Sequence, residues 1–386
     1  MTADFLPRTP AAIAAVMDGA LRDGPDGVRW AALPSPAVQN HAAFLARDGA
    51  GRLHCVWFGG ELEGKASICI RRSVLDEGAG RWGAVERLSD DPDRSEQNPI
   101  LFFAPDGRTL LLHTAQPGGD QDRCVVRMRP LGAAPADLPL AGGTFVRAPI
   151  VVCDDGAWLL PVFRCTPAAG AKWTGRHDVA QVAIGTNAGA DWRVVDLPDS
   201  TGCVHMALVP LSAGRIVAFF RRRQADWVYR SESRDGGETW TAPRPTDLPN
   251  NNSSIAALRL GDGRIALACN PVNASMDPSR RASLYDELGA DARPDAEGGC
   301  EPIWGVPRAP LAIAFSGDDG QTFPDRIVVA EGPGTCLSND STDGRNRELS
   351  YPSLVESPDG GLDVAFTLCR RAIAHVQIRP NMLGRP

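Results

Sequence analysis

His205-MALVPLSAGRIVAFF-Arg221 reads as an apolar strand, a turn carrying Gly214, and a second apolar strand. A tight hairpin needs positive φ in its turn, and glycine adopts it without a Cβ clash. The pattern occurs five more times, as His41-AAFLARDGAGRLHCVWF-Gly59, Asn98-PILFFAPDGRTLLL-His113, Arg147-APIVVCDDGAWLLPVF-Arg164, Ser254-IAALRLGDGRIALAC-Asn270 and Tyr351-PSLVESPDGGLDVAF-Thr367. A third apolar strand follows each hairpin: Ile68–Arg71, Val125–Met128, Val179–Ile184, Val228–Arg230, Leu311–Phe315 and Ile373–Ile378. These third strands lie roughly 50–60 residues apart except across one longer gap, close to the ~40–50 residues of a four-stranded propeller blade. The strands are apolar on both faces, as expected where sheets are stacked against sheets. The expectation is an all-β, six-bladed β-propeller of four-stranded antiparallel blades over residues 30–380, behind a helical segment at residues 1–29. Two stacked β-sandwiches also give short strands at even spacing, but they do not repeat one hairpin six times.

Composition agrees with many short strands. Gly and Pro together make 72 of 386 residues, and 43% of the chain is apolar, enough for an ordinary core. A net charge of −7 argues against general nucleic-acid or polyanion binding. It leaves room for an acidic small substrate held by a local arginine cluster. No stretch approaches the ~20 apolar residues of a membrane span. Residues 1–24 lack a basic region followed by an apolar run, so no signal peptide is expected. Thr9-Pro10 reads as an N-cap and first helical residue, with a helix over Ala11–Leu21. Ten cysteines show no CxxC or finger spacing, and Cys55, Cys69, Cys203, Cys269 and Cys369 lie in apolar runs. Buried, reduced thiols and a cytoplasmic location are the expectation. No metal or cofactor is expected, because neither ligand spacing nor a P-loop occurs.

Ser233-Arg-Asp-Gly-Gly-Glu-Thr-Trp240 and Ser316-Gly-Asp-Asp-Gly-Gln-Thr-Phe323 follow the fourth and fifth third-strands, and weaker echoes end at Trp82 and Trp192. Both octapeptides resemble the Asp-box, S-x-D-x-G-x-T-W, of sialidases and BNR-repeat propellers. The resemblance covers about residues 30–380 and implies the sialidase-like propeller. In that family the boxes are structural and lie on the outer rim, so they say little about activity.

In a propeller the inner strands begin at the axial funnel, which makes the residues flanking the hairpins converge. Those residues are polar: His41, Asn98, His113, Arg147, Arg164, His205, Arg221, Asn252, Ser254, Asn270 and Tyr351. Tyr351-Pro-Ser353-Leu354…Asp359-Gly360 resembles the last-blade sialidase pattern whose Tyr is the nucleophile, and the chain has only three tyrosines. A neutral nucleophile suits a substrate with a carboxylate near the anomeric carbon, an exception to the usual carboxylate pair. Other family positions differ. The first-blade Phe-Arg-Ile-Pro motif is replaced around Asn40-His41, the family's Glu falls near Ser254, and an arginine falls on Asn270. The acid/base Asp falls near Ser67, with Glu61 and Glu63 close by.

Three functions remain open. The leading expectation is an exo-glycosidase on an acidic sugar, with Tyr351 as nucleophile, Glu348 as base and Glu61 or Glu63 as acid. Arginines, with Arg147, Arg164, Arg221 and Arg347 as candidates, would hold the carboxylate bidentately. The alternative is a uronate lyase using His41, His113 or His205 with Tyr351. The third is a sugar-binding propeller without catalysis. The partner in each is an acidic mono- or oligosaccharide, and the oligomeric state is left open. Residues 271–310, the long gap, are expected to form a lid over the funnel, and Trp173 is a candidate for stacking on a sugar.

Overall fold

Each of the six hairpins forms the inner pair of an antiparallel sheet in the computed structural model, which describes residues 5–166, 170–212, 214–284, 286–289 and 292–384. The inner strands are Gln39–Arg47, Ser95–Phe103, Thr144–Val146 continued by Val151–Val152, Cys203–Pro210, Ala256–Arg259 and Leu349–Glu356. Their hairpin partners are Leu53–Gly60, Thr109–Gln116, Trp158–Arg164, Ile216–Arg222, Ile265–Cys269 and Leu362–Leu368. The third strands are Cys69–Asp76, Val125–Pro130, Val179–Thr186, Trp227–Ser233, Leu311–Ser316 and Ala372–Ile378. With an outer strand on each, the six sheets make a six-bladed propeller of four-stranded blades. Its core lies between neighbouring blades. Phe44 and Val56 of the first blade, for example, share one apolar cluster with Ile100 and Leu112 of the second and Leu160 of the third.

The sixth blade takes its outer strand from the other end of the chain. Arg29–Ala32 pairs antiparallel with Ala372–Ile378, and Arg22–Asp23 pairs with it in turn. The propeller therefore starts before residue 30: Arg22–Asp23, within the expected N-terminal helical segment, and Arg29–Ala32 belong to its sixth sheet. Side chains fasten the same seam. Asp363 accepts from Arg47 Nη2 (2.6 Å) and pairs with His375 Nε2 (2.9 Å), while Trp82 Nε1 donates to His375 Nδ1 (3.2 Å). The helix is also shorter than expected, Pro10–Ala14, although Thr9 caps it as predicted by accepting from Ala12 N. Gly19, at φ +78°, turns the chain against the backbone of Trp82, which a continuous helix to Leu21 would prevent.

The two octapeptides form matching turns. Ser233 Oγ accepts from Gly237 N and Asp235 from Thr239 N and Oγ1; Ser316 and Asp318 repeat this with Gly320 and Thr322. Trp240 and Phe323 are buried beneath them. All ten cysteines are free thiols and eight are buried. Among the described residues no helix is long and apolar enough to cross a membrane.

A second repeat lies in the inner strands. Four of them slip register near the axis, and the residue at each slip has positive φ: Ala42 (59°), Asn98 (49°), His205 (48°) and Tyr351 (55°). Asn252 (56°) precedes the fifth inner strand in the same conformation. A bulge of this kind bends the strand and re-aims a side chain. For a residue other than glycine it costs on the order of 1–3 kcal/mol, and such strain collects at functional sites.

Candidate active site

Those bulges bring His205 and Tyr351 together at the axis. The ring of Tyr351 lies 4.1 Å from that of His41 and 5.5 Å, edge-on, from that of His205. Three guanidiniums surround the same ring: Arg147 at 5.4 Å, Arg221 at 5.9 Å and Arg308 at 5.7 Å. Arg221 reaches furthest into the chemistry. Its Nη1 donates to the Tyr351 hydroxyl (3.0 Å) and lies 3.4 Å from His205 Nε2, while its Nε donates to Asn252 Oδ1 (2.8 Å). Arg147 spans the axis, donating to Ser254 Oγ and to the carbonyls of Ala43, Tyr351 and Pro352.

One step away lies a buried chain of alternating charges. Glu348 accepts from Arg308 Nη1 (2.6 Å), Ser350 Oγ (2.6 Å) and Asn346 Nδ2 (3.2 Å). Arg370 bridges Glu348 and Glu63 by short ion pairs. Four guanidiniums, of Arg147, Arg221, Arg308 and Arg370, thus face two carboxylates, leaving two positive charges. Among the described residues, neither Arg147 nor Arg221 pairs with a carboxylate. Burial pushes both their pKa values down to about 10. Burial also works against the charge on Arg370, but Glu348 and Glu63 hold its pKa well above the usual value. Burial alone would raise the pKa of Glu348, yet Arg370 and Arg308 hold it well below the carboxylate range.

Both histidines are neutral: burial, helped by Arg370 at His41 and by Arg221 at His205, holds each well below its ordinary pKa. Three nitrogens in this cage are buried without a hydrogen-bond partner: Arg221 Nη2, His41 Nε2 and His205 Nδ1. Buried polar atoms are nearly always satisfied, so three orphans around one phenol mark a place for a polar ligand. Uncompensated buried cations cost several kcal/mol each, which makes an anion the matching ligand.

The structure brings together Tyr351, His41, His205, Arg147, Arg221, Asn252, Ser254, Glu348 and, through Arg370, Glu63. Five expected members lie elsewhere or serve the fold. His113 faces the outer part of its blade, near Glu96 (3.7 Å), Arg127 and Asp91, where burial pushes its pKa down to about 4. Arg164 is half-buried with Nε unpartnered, and it follows Phe163, whose ring turns to His205. Arg347 is spent on the carbonyls of Gly344 and Asn346. Asn98 holds Thr114 within its own blade. Asn270 is a clamp, donating to the carbonyls of Pro310 and Leu349. Alternation explains the first two, since neighbouring strand residues point to opposite faces. Two roles also change. Glu348 is bound as an anion to two arginines instead of serving Tyr351 as base, and Glu63 is engaged by Arg370.

Arg308 and Arg370 were not anticipated. Arg370 follows the sixth hairpin as Arg221 ends the fourth, so the flanking rule would have reached it had the copy been read three residues further. Arg308 lies in the long gap, and nothing in the repeat marks it. That gap crosses the axial end. Ile303 and Pro307 offer carbonyls to Asn252 and Asn251, Trp304 packs 6.2 Å from Trp173, and Asp295 pairs with Lys172 (2.8 Å). The described part of the gap packs beside the cage and supplies one of its guanidiniums, Arg308. Tyr285, also within the gap, lies outside the described residues. Among the described residues no group of three or more His, Cys, Asp or Glu is placed to hold a metal ion.

Fold and cage together define a sialidase-type propeller with a cationic axial site built around one tyrosine. The sequence matches the BNR repeat-like domain over residues 51–364, and the chain belongs to that family. No curated protein matches it. The Hadza microbial sialidase Hz136 superposes with a TM-score of 0.66 at 11% identity, covering 89% of this chain and 66% of that one. The chain therefore spans about two thirds of that sialidase's length. The intramolecular trans-sialidase of Ruminococcus gnavus gives 0.61 at 11% identity, covering 90% and 96%. A protein of unknown function from Dyadobacter fermentans gives 0.62 at 16%, covering 94% and 99%. At these identities the likeness is one of fold.

Proposed function

We propose that the protein cleaves glycosides of an acidic sugar, with the sugar's carboxylate in the arginine cage and Tyr351 as nucleophile. One observation carries this reading. Two buried guanidiniums without a carboxylate partner, one with an orphaned Nη2, flank a phenol whose oxygen already accepts from Arg221. A carboxylate there satisfies Arg221 and offsets the desolvation of both cations. The phenolic oxygen, steadied by Arg221, bonds to the anomeric carbon as it gives its proton to His41; the glycosidic C–O bond breaks, the leaving oxygen takes up that proton through solvent, and a water then displaces Tyr351 to release the acidic sugar. His41, neutral and tilted against the ring at 4.1 Å, is the base at hand for the phenolic proton. The sialidase fold of the BNR family supports the same reading at the level of superfamily.

A second reading, a uronate lyase, is favoured by one feature. Both nearby carboxylates are ion-paired, whereas two neutral histidines flank Tyr351. A lyase needs no carboxylic acid: arginine neutralises the uronate, a histidine takes the adjacent proton, and tyrosine protonates the leaving oxygen.

The test is a panel of acidic-sugar glycosides scored by product mass and ultraviolet absorbance. Water gained means hydrolysis, and an absorbing unsaturated uronate means elimination. Tyr351→Phe is expected to lower kcat at least about a hundredfold in either case. Unchanged turnover in that variant removes Tyr351 from the chemistry. Saturable binding without product on every member makes the protein a sugar-binding propeller.

A further inference from the structure

Asn250-Asn-Asn-Ser-Ser254 leads into the fifth inner strand, and all five residues are buried. Asn250 Oδ1 accepts from Arg222 N (3.0 Å) and from Asn252 N (3.1 Å). That pair of bonds folds the segment against the end of strand Ile216–Arg222, with Asn252 at φ 56°. Asparagine tolerates this left-handed conformation better than most residues. Asn251 Nδ2 donates to the Pro307 carbonyl (2.7 Å) and Asn252 Nδ2 to that of Ile303 (2.9 Å). With its nitrogen on a carbonyl, Asn252 turns its oxygen to Arg221 Nε (2.8 Å). Two residues on, Ser254 Oγ accepts from Arg147 Nε (3.2 Å). One segment therefore holds both unpaired arginines of the cage, each by its Nε and each with a neutral oxygen.

Neighbouring arginines are held differently. Arg222 and Arg223, next along the chain, pair with Asp226 (3.4 Å) and Asp178 (2.6 Å), while Arg308 and Arg370 pair with Glu348. A carboxylate orients a guanidinium as well as an amide does, but it also cancels the charge. A neutral acceptor fixes Nε and leaves both the charge and the far edge of the guanidinium. At Arg221 that edge is Nη1, which donates to the Tyr351 hydroxyl, and Nη2, which is buried without a hydrogen-bond partner. Keeping a buried cation uncompensated is unfavourable in the free protein and is offset when an anion binds. We propose that Asn252 and Ser254 are positioning residues that orient Arg221 and Arg147 without neutralising them, and so make the cage selective for an anionic ligand. The assignment rests on the cage being the acidic-sugar site, and it adds which groups set the charge preference of that site.

Asn252→Asp keeps an oxygen on Arg221 Nε and supplies a negative charge, whereas Asn252→Ala removes the oxygen and keeps the cation. Titration calorimetry with galacturonate, N-acetylneuraminate and acetate, the bare carboxylate, reads affinity, and urea unfolding reads stability. Asn252→Ala is expected to weaken anions about tenfold by freeing the guanidinium. Asn252→Asp is expected to weaken them about a hundredfold or more, with a urea midpoint at or above that of Asn252→Ala. A merely structural support gives the same order in both measurements, because the variant that disturbs the fold more also binds less. Ser254→Asp and Ser254→Ala make the same comparison at Arg147 and decide the matter if the variants at position 252 do not fold. If Asn252→Asp binds anions as tightly as Asn252→Ala, or if affinity and midpoint fall in the same order, the proposal is overturned and the acidic-sugar reading stands. Acetate bound in the expected order by a protein that takes neither sugar refutes the acidic-sugar reading alone. A wild-type protein that binds none of the three overturns both.

Discussion

Replacing Arg221 with Gln separates a binding group from a structural one. The guanidinium is 1% exposed, and burial lowers its pKa from 12.5 to about 10. At ~1.4 kcal/mol per unit, its charged form carries about 3 kcal/mol of unfavourable free energy in the folded protein. Against this stand the hydrogen bonds to Asn252 and Tyr351, each a net ~1 kcal/mol, one of which a glutamine amide can replace. The free Arg221→Gln protein should therefore be as stable as the wild type or more so, by about 1–2 kcal/mol in urea unfolding. The ligand side moves the other way. Losing the charged donors to a carboxylate costs about 2–5 kcal/mol, so Kd for the acidic sugar should rise about thirtyfold or more by titration calorimetry. A gain in stability with a loss of affinity is the signature of a cation held in place for an absent anion. If the variant loses more than about 2 kcal/mol of stability and keeps its affinity, Arg221 is a strut and the anion argument is wrong.

Stability should fall steeply on mild acidification. His41 and His205 titrate well below 6.5 in the folded protein and His113 near 4, so below pH 6.5 the unfolded chain takes up protons that the folded one refuses. Each histidine then removes ~1.4 kcal/mol per pH unit. Glu348, with a depressed pKa, adds stability above 4.5 that is lost as pH drops further. Urea midpoints at pH 7.5 and 5.5 should differ clearly, and His113→Gln should flatten the slope; coinciding midpoints would show that the histidines are not buried neutral. Asp363→Asn should cost about 3–5 kcal/mol, because it leaves the Arg47 guanidinium without its buried partner at the seam of blades 1 and 6. An unchanged urea midpoint there would mean that the strand pairing alone closes the ring.

The hairpin copies and the third strands were legible because their information is local: apolar runs, glycine turns and spacing report on a few neighbouring residues. The cap at Thr9 belongs to the same class. The closing strand Arg29–Ala32 escaped notice because its partner lies more than 300 residues away and its own four residues carry no turn or period. The candidate site divides along the same line. Tyr351, His41, His205 and Arg221 occupy strand ends, where the repeat itself points to the axis. His113 and Arg164 occupy similar ends, yet the pleat turns them away, since one residue of register exchanges the two faces of a strand.

Residue order along this chain determined the number of blades, the existence of an axial gathering of polar groups and the candidacy of Tyr351. Tertiary structure alone decided the electrostatics: which arginines lack a carboxylate, which carboxylates are already paired, and that a loop residue, Arg308, completes the cage. The physical reason is that charge compensation depends on distance in space and on burial. Neither is written into the spacing of a repeat, and both are set only when six sheets close around one axis.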